Sequence, residues 1–300
     1  MSTARSVAAV AGGTVLAGAA TLGYAGLEAH AYRLSRVRVP VLAPGAAPFR
    51  ILQIADLHIT PAQRRKVVWV RSLAGLQPDL VVDTGDNLSH RDGVPTALEA
   101  LEPLLRFPGA FVTGSNDYSA PVPRNPFRYL IDRRTPQQVA PPRRSLRLPT
   151  EQLVGAFVEA GWFDLDNARG IATVGERRVA FVGTGDAHIA RDDYAVVAGP
   201  PPAADLAIAL THAPYHRVLD ALSRDGWPLV IAGHTHGGQV CIPGWGAVVT
   251  NCDLDRKRAR GLSSYGRSWL YVSAGLGTSR YAPVRFACPP EATLLTLVAR

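Results

Sequence analysis

The strongest constraint on this chain is a pattern that recurs six times: a short apolar run that stops abruptly in a polar cluster. Arg50 to Ala55 runs into Asp56-Leu57-His58, and Leu80 to Val82 into Asp83-Thr84-Gly85-Asp86-Asn87. Ala110 to Val112 runs into Thr113-Gly114-Ser115-Asn116-Asp117, and Val179 to Val182 into Gly183-Thr184-Gly185-Asp186-Ala187-His188. Leu206 to Leu210 runs into Thr211-His212-Ala213-Pro214, and Leu229 to Ala232 into Gly233-His234-Thr235-His236-Gly237-Gly238. Unbroken apolar runs of this length read as strands buried on both faces. Helical patterns over Gln63–Leu76, Val94–Leu105, Thr150–Ala160 and Tyr215–Ser223 separate several of them. Strand, polar cluster, helix, strand predicts an α/β fold, in which the C-terminal strand ends share one edge where ligands bind. Trp269–Val272 and Thr293–Val298 are also expected as strands, joined by a Gly- and Pro-rich loop and antiparallel.

The polar clusters then converge. They contain Asp56, His58, Asp86, Asn116, His212, His234 and His236: two carboxylates, four imidazoles and one amide. Without thiolate the set is not a structural zinc site, and it has too much imidazole for a Ca²⁺ or Mg²⁺ cage. It suits Mn, Fe or Zn, and seven ligands are more than one ion needs. Two ions sharing a carboxylate fit better, an arrangement suited to attack on a phosphorus ester. Any one of these residues alone is weak evidence; the ordered set carries the reading.

That set resembles the calcineurin-like metallophosphoesterase superfamily over about residues 50–300. The family pattern is Asp-x-His, Gly-Asp, Gly-Asn-His-(Asp/Glu), a lone His and Gly-His-x-His. Here it reads Asp56-Leu57-His58, Gly85-Asp86, Gly114-Ser115-Asn116-Asp117, His212 and Gly233-His234-Thr235-His236. The resemblance implies two mixed β-sheets flanked by helices, with the site at the strand ends. It implies that Asp56, His58 and His236 hold one metal, that Asp86 bridges, and that His212 and His234 hold the second. The activity implied is hydrolysis of a phosphate ester or pyrophosphate by a metal-bridging hydroxide. The Ala-rich N-terminus and the Gly-Gly-Gln-Val after the last motif look like the bacterial membrane- or envelope-associated branch.

One motif departs from the family. Aligned strictly, Ser115 replaces the ligand Asn and Asn116 the catalytic His; shifted by one residue, Asn116 still offers its carbonyl to the second metal. Loss of a proton donor costs about 10²–10⁴ in rate. His188 is the candidate substitute, its alternative being a loop His that caps a carbonyl. The departure keeps open a non-catalytic, metal-binding member of the same fold acting as a binding module. No Gly-x-Ser-x-Gly elbow and no Walker A sequence is present. Three cysteines, Cys241, Cys252 and Cys288, are too few and too scattered for a disulfide framework.

The net charge of +8 is mostly local. Between Pro121 and Thr150 stand seven arginines and one acid, a Pro-rich basic insertion suited to an anionic partner, or simply solvated. Arginines with few interleaved aromatics argue against a nuclease, so no nucleic-acid partner is expected. The substrate is expected to be a phosphorylated small molecule or a lipid-linked phosphate.

Residues 1–49 read as an apolar segment and a linker before a domain over 50–300. Ser6 to Leu27 carries no charge and as a helix would be roughly 33 Å long, enough to cross a bilayer core. It reads as a membrane anchor, as a signal peptide with Ala29-His30-Ala31 at the cleavage site, or as a helix packed on the domain. The anchor is preferred. The arginines that follow it put the domain on the cytoplasmic face, an exported form being the alternative.

Overall fold

The computed structural model describes residues 16–122 and 146–300. Most of the Arg/Pro-rich insertion expected near 121–150 lies outside these residues, as does the start of the N-terminal segment.

Two six-stranded mixed sheets face each other. The first has the order β1 (Arg33–Leu42), β14 (Glu291–Ala299), β2 (Phe49–Ile54), β3 (Leu80–Asp83), β4 (Gly109–Phe111), β5 (Phe163–Asp164). The second has the order β12 (Gly261–Tyr265), β13 (Ser268–Val272), β9 (Leu229–Ala232), β8 (Leu206–Thr211), β7 (Arg177–Thr184), β6 (Ala168–Val174). β2, β3, β4 and β5 run parallel in one sheet, and β7, β8, β9 and β13 in the other. A small antiparallel pair, β10 (Cys241–Ile242) and β11 (Gly246–Ala247), stands apart.

The doubly buried strands divide their side chains by the period of two. On β8, Leu206, Ile208 and Leu210 enter the core between the sheets, while Ala207 and Ala209 face outward. There they meet α6 (His216–Asp225), through Val218, Leu219 and Leu222. On β2, Ile51 points between the sheets, and Leu52 and Ile54 pack under α2 (Arg64–Ser72) and α3 (Val94–Leu105). Phe157 of α5 (Thr150–Glu159) closes the same outer layer; α4 (Ser115–Tyr118) is a single turn after β4. Gln53, fully buried on β2, ties the sheets together by donating to Ala232 O at 2.9 Å and Thr84 Oγ1 at 3.1 Å.

Two expectations are corrected. Residues 33–42, read as linker, form the strand β1, paired in parallel with β14. Arg36 and Arg38 are exposed on one face of this edge strand and Arg33 is exposed at its start, so its apolar signal is diluted. Trp269–Val272 and Thr293–Val298 are strands but not partners. β13 pairs with β12 and β9, whereas β14 crosses to the first sheet and pairs with β1 and β2.

The N-terminal helix α1 covers 16–28 and packs on the domain by its last turn. Ala25 O accepts from Arg285 N at 2.9 Å, and the buried Glu28 carboxylate accepts from Ala287 N (3.1 Å) and Cys288 N (2.6 Å). Leu16, Leu22 and Leu27 stay exposed. Among the described residues, no helix is long and apolar enough to cross a membrane.

Candidate metal centre

The C-terminal ends of the parallel strands meet at the seam between the sheets. The loops after β2 and β3 continue their pairing, with Asp56 N donating to Gly85 O and His58 N to Asp86 O, both at 2.9 Å. Across the seam, His234 N donates to both oxygens of Asp56 at 3.0 Å. The site is therefore stitched from both sheets by backbone as well as side chain.

Asp56, His58, Asp86, His234 and His236 all have left-handed backbone, with φ of 49°, 43°, 59°, 70° and 51°. For a residue with a Cβ this costs about 1–2 kcal/mol, and clustered strain of this kind marks a functional site. The tight loops need glycine beside them. A Cβ on Gly114 would come within 2.3 Å of Asp86 Oδ1 and 2.7 Å of His212 Cε1, and one on Gly275 within 2.6 Å of Asp56 Cβ.

Asp56, His58 and His236 bring ligand atoms within 4.8 Å of one another, and so do Asp56, Asp86 and His212. Asp56 belongs to both groups, and Asp86 reaches a histidine of each, its Oδ2 at 3.5 Å from both His58 Nε2 and His212 Nε2. Each imidazole commits one nitrogen outward. His212 Nδ1 donates to Thr84 O at 2.7 Å, His234 Nε2 to Asn251 O at 3.2 Å and His236 Nδ1 to Gly277 O at 3.4 Å; His58 Nδ1 meets Ser89 Oγ at 3.0 Å. A carbonyl only accepts, so these bonds set the tautomers of His212, His234 and His236. His234 Nδ1 and His212 Nε2 then face each other at 3.2 Å, and His58 Nε2 and His236 Nε2 at 3.1 Å. Between His234 and His212, where carbonyls hold the other nitrogens, opposed lone pairs at this distance call for a cation or a proton between them.

Charge sorts the histidines. Burial pushes His58 down to about 4 and holds His234 and His236 well below the usual imidazole range. These three are neutral, the form that binds metal. Burial also opposes a charge on His212, but Asp86 and Asp186 outweigh it and hold its pKa well above the ordinary value.

Asn116 lies against Asp86, its N–H donating to Oδ1 at 2.7 Å and its Nδ2 to Oδ2 at 2.6 Å; Ser115 is beside it, with Oγ 3.4 Å from the same amide nitrogen. His188 stacks near His234, ring centroids 4.5 Å apart, and meets Tyr215 Oη at 3.2 Å. The seven ligand candidates and His188 are thus brought to one place.

Three supporting residues escaped sequence reading. Buried Asp117 accepts the N–H groups of Asp86, Asn87, Leu88 and Gly114, at 2.9, 2.7, 3.3 and 2.9 Å, and so clamps two motifs together. Fully buried Arg285 donates to the carbonyls of Ala274 (2.7 Å), Gly277 (2.6 Å) and His236 (3.3 Å), bracing the loop behind Asp56 and His58. Lys66 donates to Leu57 O at 2.7 Å within the first motif. Asp117 is visible in its motif; nothing local marks the other two.

The family model of the calcineurin-like phosphoesterases matches residues 49–238. The chain belongs to that family. Three curated relatives extend the likeness over nearly the whole length. It is 27% identical to the phosphodiesterase YaeI of Escherichia coli, covering 89% of this chain and 88% of that one. It is 25% identical to the uncharacterized metallophosphoesterase YkuE of Bacillus subtilis, covering 96% and 93%. It is 28% identical to the UDP-2,3-diacylglucosamine pyrophosphatase LpxG of Chlamydia trachomatis, covering 90% of each. The chain is accordingly a phosphoester hydrolase of a metal-dependent family.

Proposed function

We propose that the protein is a dinuclear phosphoesterase acting on a phosphodiester or a pyrophosphate. The observation that carries this is the pair of inward nitrogens, His234 Nδ1 and His212 Nε2, 3.2 Å apart with both tautomers set by carbonyls. The donor set is nitrogen and oxygen without thiolate, which fits Mn, Fe or Zn. Asp56, His58 and His236 would hold one ion, His212, His234 and Asn116 the other, with Asp86 shared. Bound there, two such ions supply Lewis acidity to the phosphate oxygens and acidify the attacking water.

The chain's own residues do the rest. Asn116 orients the Asp86 carboxylate through two hydrogen bonds. The outer carbonyls keep the imidazole lone pairs aimed inward. His188, whose ring lies 4.5 Å from that of His234, would give a proton to the departing oxygen in place of the family's His. The names of YaeI and LpxG favour a diester or pyrophosphate, in a lipid-linked molecule in the case of LpxG. Exposed Leu16, Leu22 and Leu27 support attachment of the N-terminal segment to a membrane, and Arg33, Arg36, Arg38 and Arg50 after it favour the cytoplasmic face for the domain.

Metal analysis of the purified protein, with hydrolysis of bis-p-nitrophenyl phosphate before and after chelation, tests the reading. Transition metal in the protein and chelator-sensitive hydrolysis are expected. A metal-loaded protein that cleaves neither diester nor pyrophosphate would return the chain to the binding-module reading.

A further inference from the structure

The β10–β11 hairpin stands beside the metal centre and carries apolar side chains outward. Ile242 is 50% exposed and Trp245 55%. Val240, just before the hairpin, is exposed as well. A cleft of about 300 Å³ opens at its base, lined by Trp245, Arg256, Lys257, Arg260 and Gly237. Gly237 directly follows His236, and Thr235 Oγ1 donates to Ala259 O at 2.6 Å, so the cationic loop is fastened to the last metal motif.

The charges of that loop are available. Arg256, Lys257 and Arg260 are in no ion pair among the described residues, and the Arg256 guanidinium sits 4.3 Å over the Trp245 ring. Of the two acids nearby, Asp255 pairs with Arg258 at 3.5 Å and Asp253 accepts from His216 N at 2.9 Å. The surface is continuous with the N-terminal helix: Cys241 N donates to Phe286 O at 2.8 Å, and the Phe286 ring meets Tyr24 edge-on at 5.8 Å.

We infer that this hairpin and cleft form a docking surface for an anionic lipid bilayer. The charge complementarity decides the occupant. Exposed Trp and Ile at the tip suit the interfacial and upper acyl layer, and unpaired Arg and Lys at its base suit phosphate head groups. A soluble anion would use the cations and leave Trp245 and Ile242 without purpose. With the phosphoesterase reading, on which this consequence rests, the bilayer delivers a lipid-borne phosphate to the metal centre from the side of His236.

The test uses the full chain, vesicles of phosphatidylcholine alone or mixed with phosphatidylglycerol, and tryptophan fluorescence. Anionic vesicles are expected to shift the emission of the native protein to the blue, and Trp245→Phe to abolish the shift, a readout that the N-terminal helix cannot supply because it holds no Trp. Arg256→Gln with Lys257→Gln and Arg260→Gln should weaken co-sedimentation with anionic vesicles about a hundred-fold, at about five-fold per charge. Hydrolysis of bis-p-nitrophenyl phosphate by these variants should stay unchanged. A shift that survives Trp245→Phe, equal sedimentation of the triple variant, or no preference for anionic vesicles overturns the inference. The soluble assay meanwhile judges the phosphoesterase reading separately.

Discussion

Asn116 holds both oxygens of Asp86, one through its backbone N–H at 2.7 Å and the other through its side-chain amide at 2.6 Å. The residue at which the sequence departs from its family is thereby tied to a carboxylate that reaches a histidine of each ligand group. Asn116→Ala keeps the backbone bond to Oδ1 but removes the side-chain amide, and with it the bond to Oδ2, and should weaken metal binding roughly 10–100-fold. Titration with Mn²⁺ measures it. Ser115→Asn combined with Asn116→His restores the family motif. A rate gain of about 10² would identify a missing proton donor. No gain, with His188→Ala inactive but metal-loaded, would assign that donor to His188.

Asp86→Ala should remove both ions rather than one, because its Oδ2 is equidistant from His58 and His212 at 3.5 Å. Metal content per chain should fall from about two to near zero, as expected for a carboxylate shared in a two-metal site. Retention of one full equivalent would mean that the groups bind independently.

Asp117→Asn keeps one acceptor oxygen and turns an NH₂ toward two backbone N–H groups. Two orphaned donors at about 1–3 kcal/mol each should lower the denaturation midpoint clearly. Metal occupancy should fall too, since Asp86 N and Gly114 N are the donors held by one of its oxygens. A purely catalytic residue would lower the rate without moving the midpoint.

The N-terminal helix supplies a stability contrast. Deleting residues 1–20 should leave the thermal transition in place, whereas Glu28→Gln should lower stability by about 1–3 kcal/mol by weakening the charged acceptor of Ala287 N and Cys288 N. Calorimetry of the two variants decides whether the last turn of the helix is part of the domain.

Lys66 predicts a pH dependence. Burial pushes its ammonium down to about 7 from 10.5, so between those values the unfolded chain binds the proton that the folded chain lacks. Stability from this group is therefore fully present above 10.5 and is lost as pH falls toward 7. Lys66→Met should flatten the rise in stability with pH over that window, measured by urea midpoints; an unchanged slope would show that Lys66 stays charged when folded.

The amino-acid sequence determined the strands that end in chemistry. Leu80–Val82, Leu206–Leu210 and Leu229–Ala232 are buried on both faces, and that burial is written locally as unbroken apolar runs; Ile51–Ala55 is buried as well, with Gln53 its one polar residue. The helices follow from their own periodicity, and Asp56, His58, Asp86, His212, His234 and His236 stand where those runs stop. Tertiary structure alone decided what long-range pairing controls. β1 is recognisable only once β14 is beside it, since Arg33 meets Glu291 across 258 residues of chain. β13 and β14 separate into different sheets because each finds its hydrogen bonds on another strand, which no local pattern records. The inward aim of the imidazoles belongs to the same class: it depends on carbonyls of Thr84, Asn251 and Gly277, and a backbone carbonyl is the same group in every residue, so only its position in the fold gives it a role.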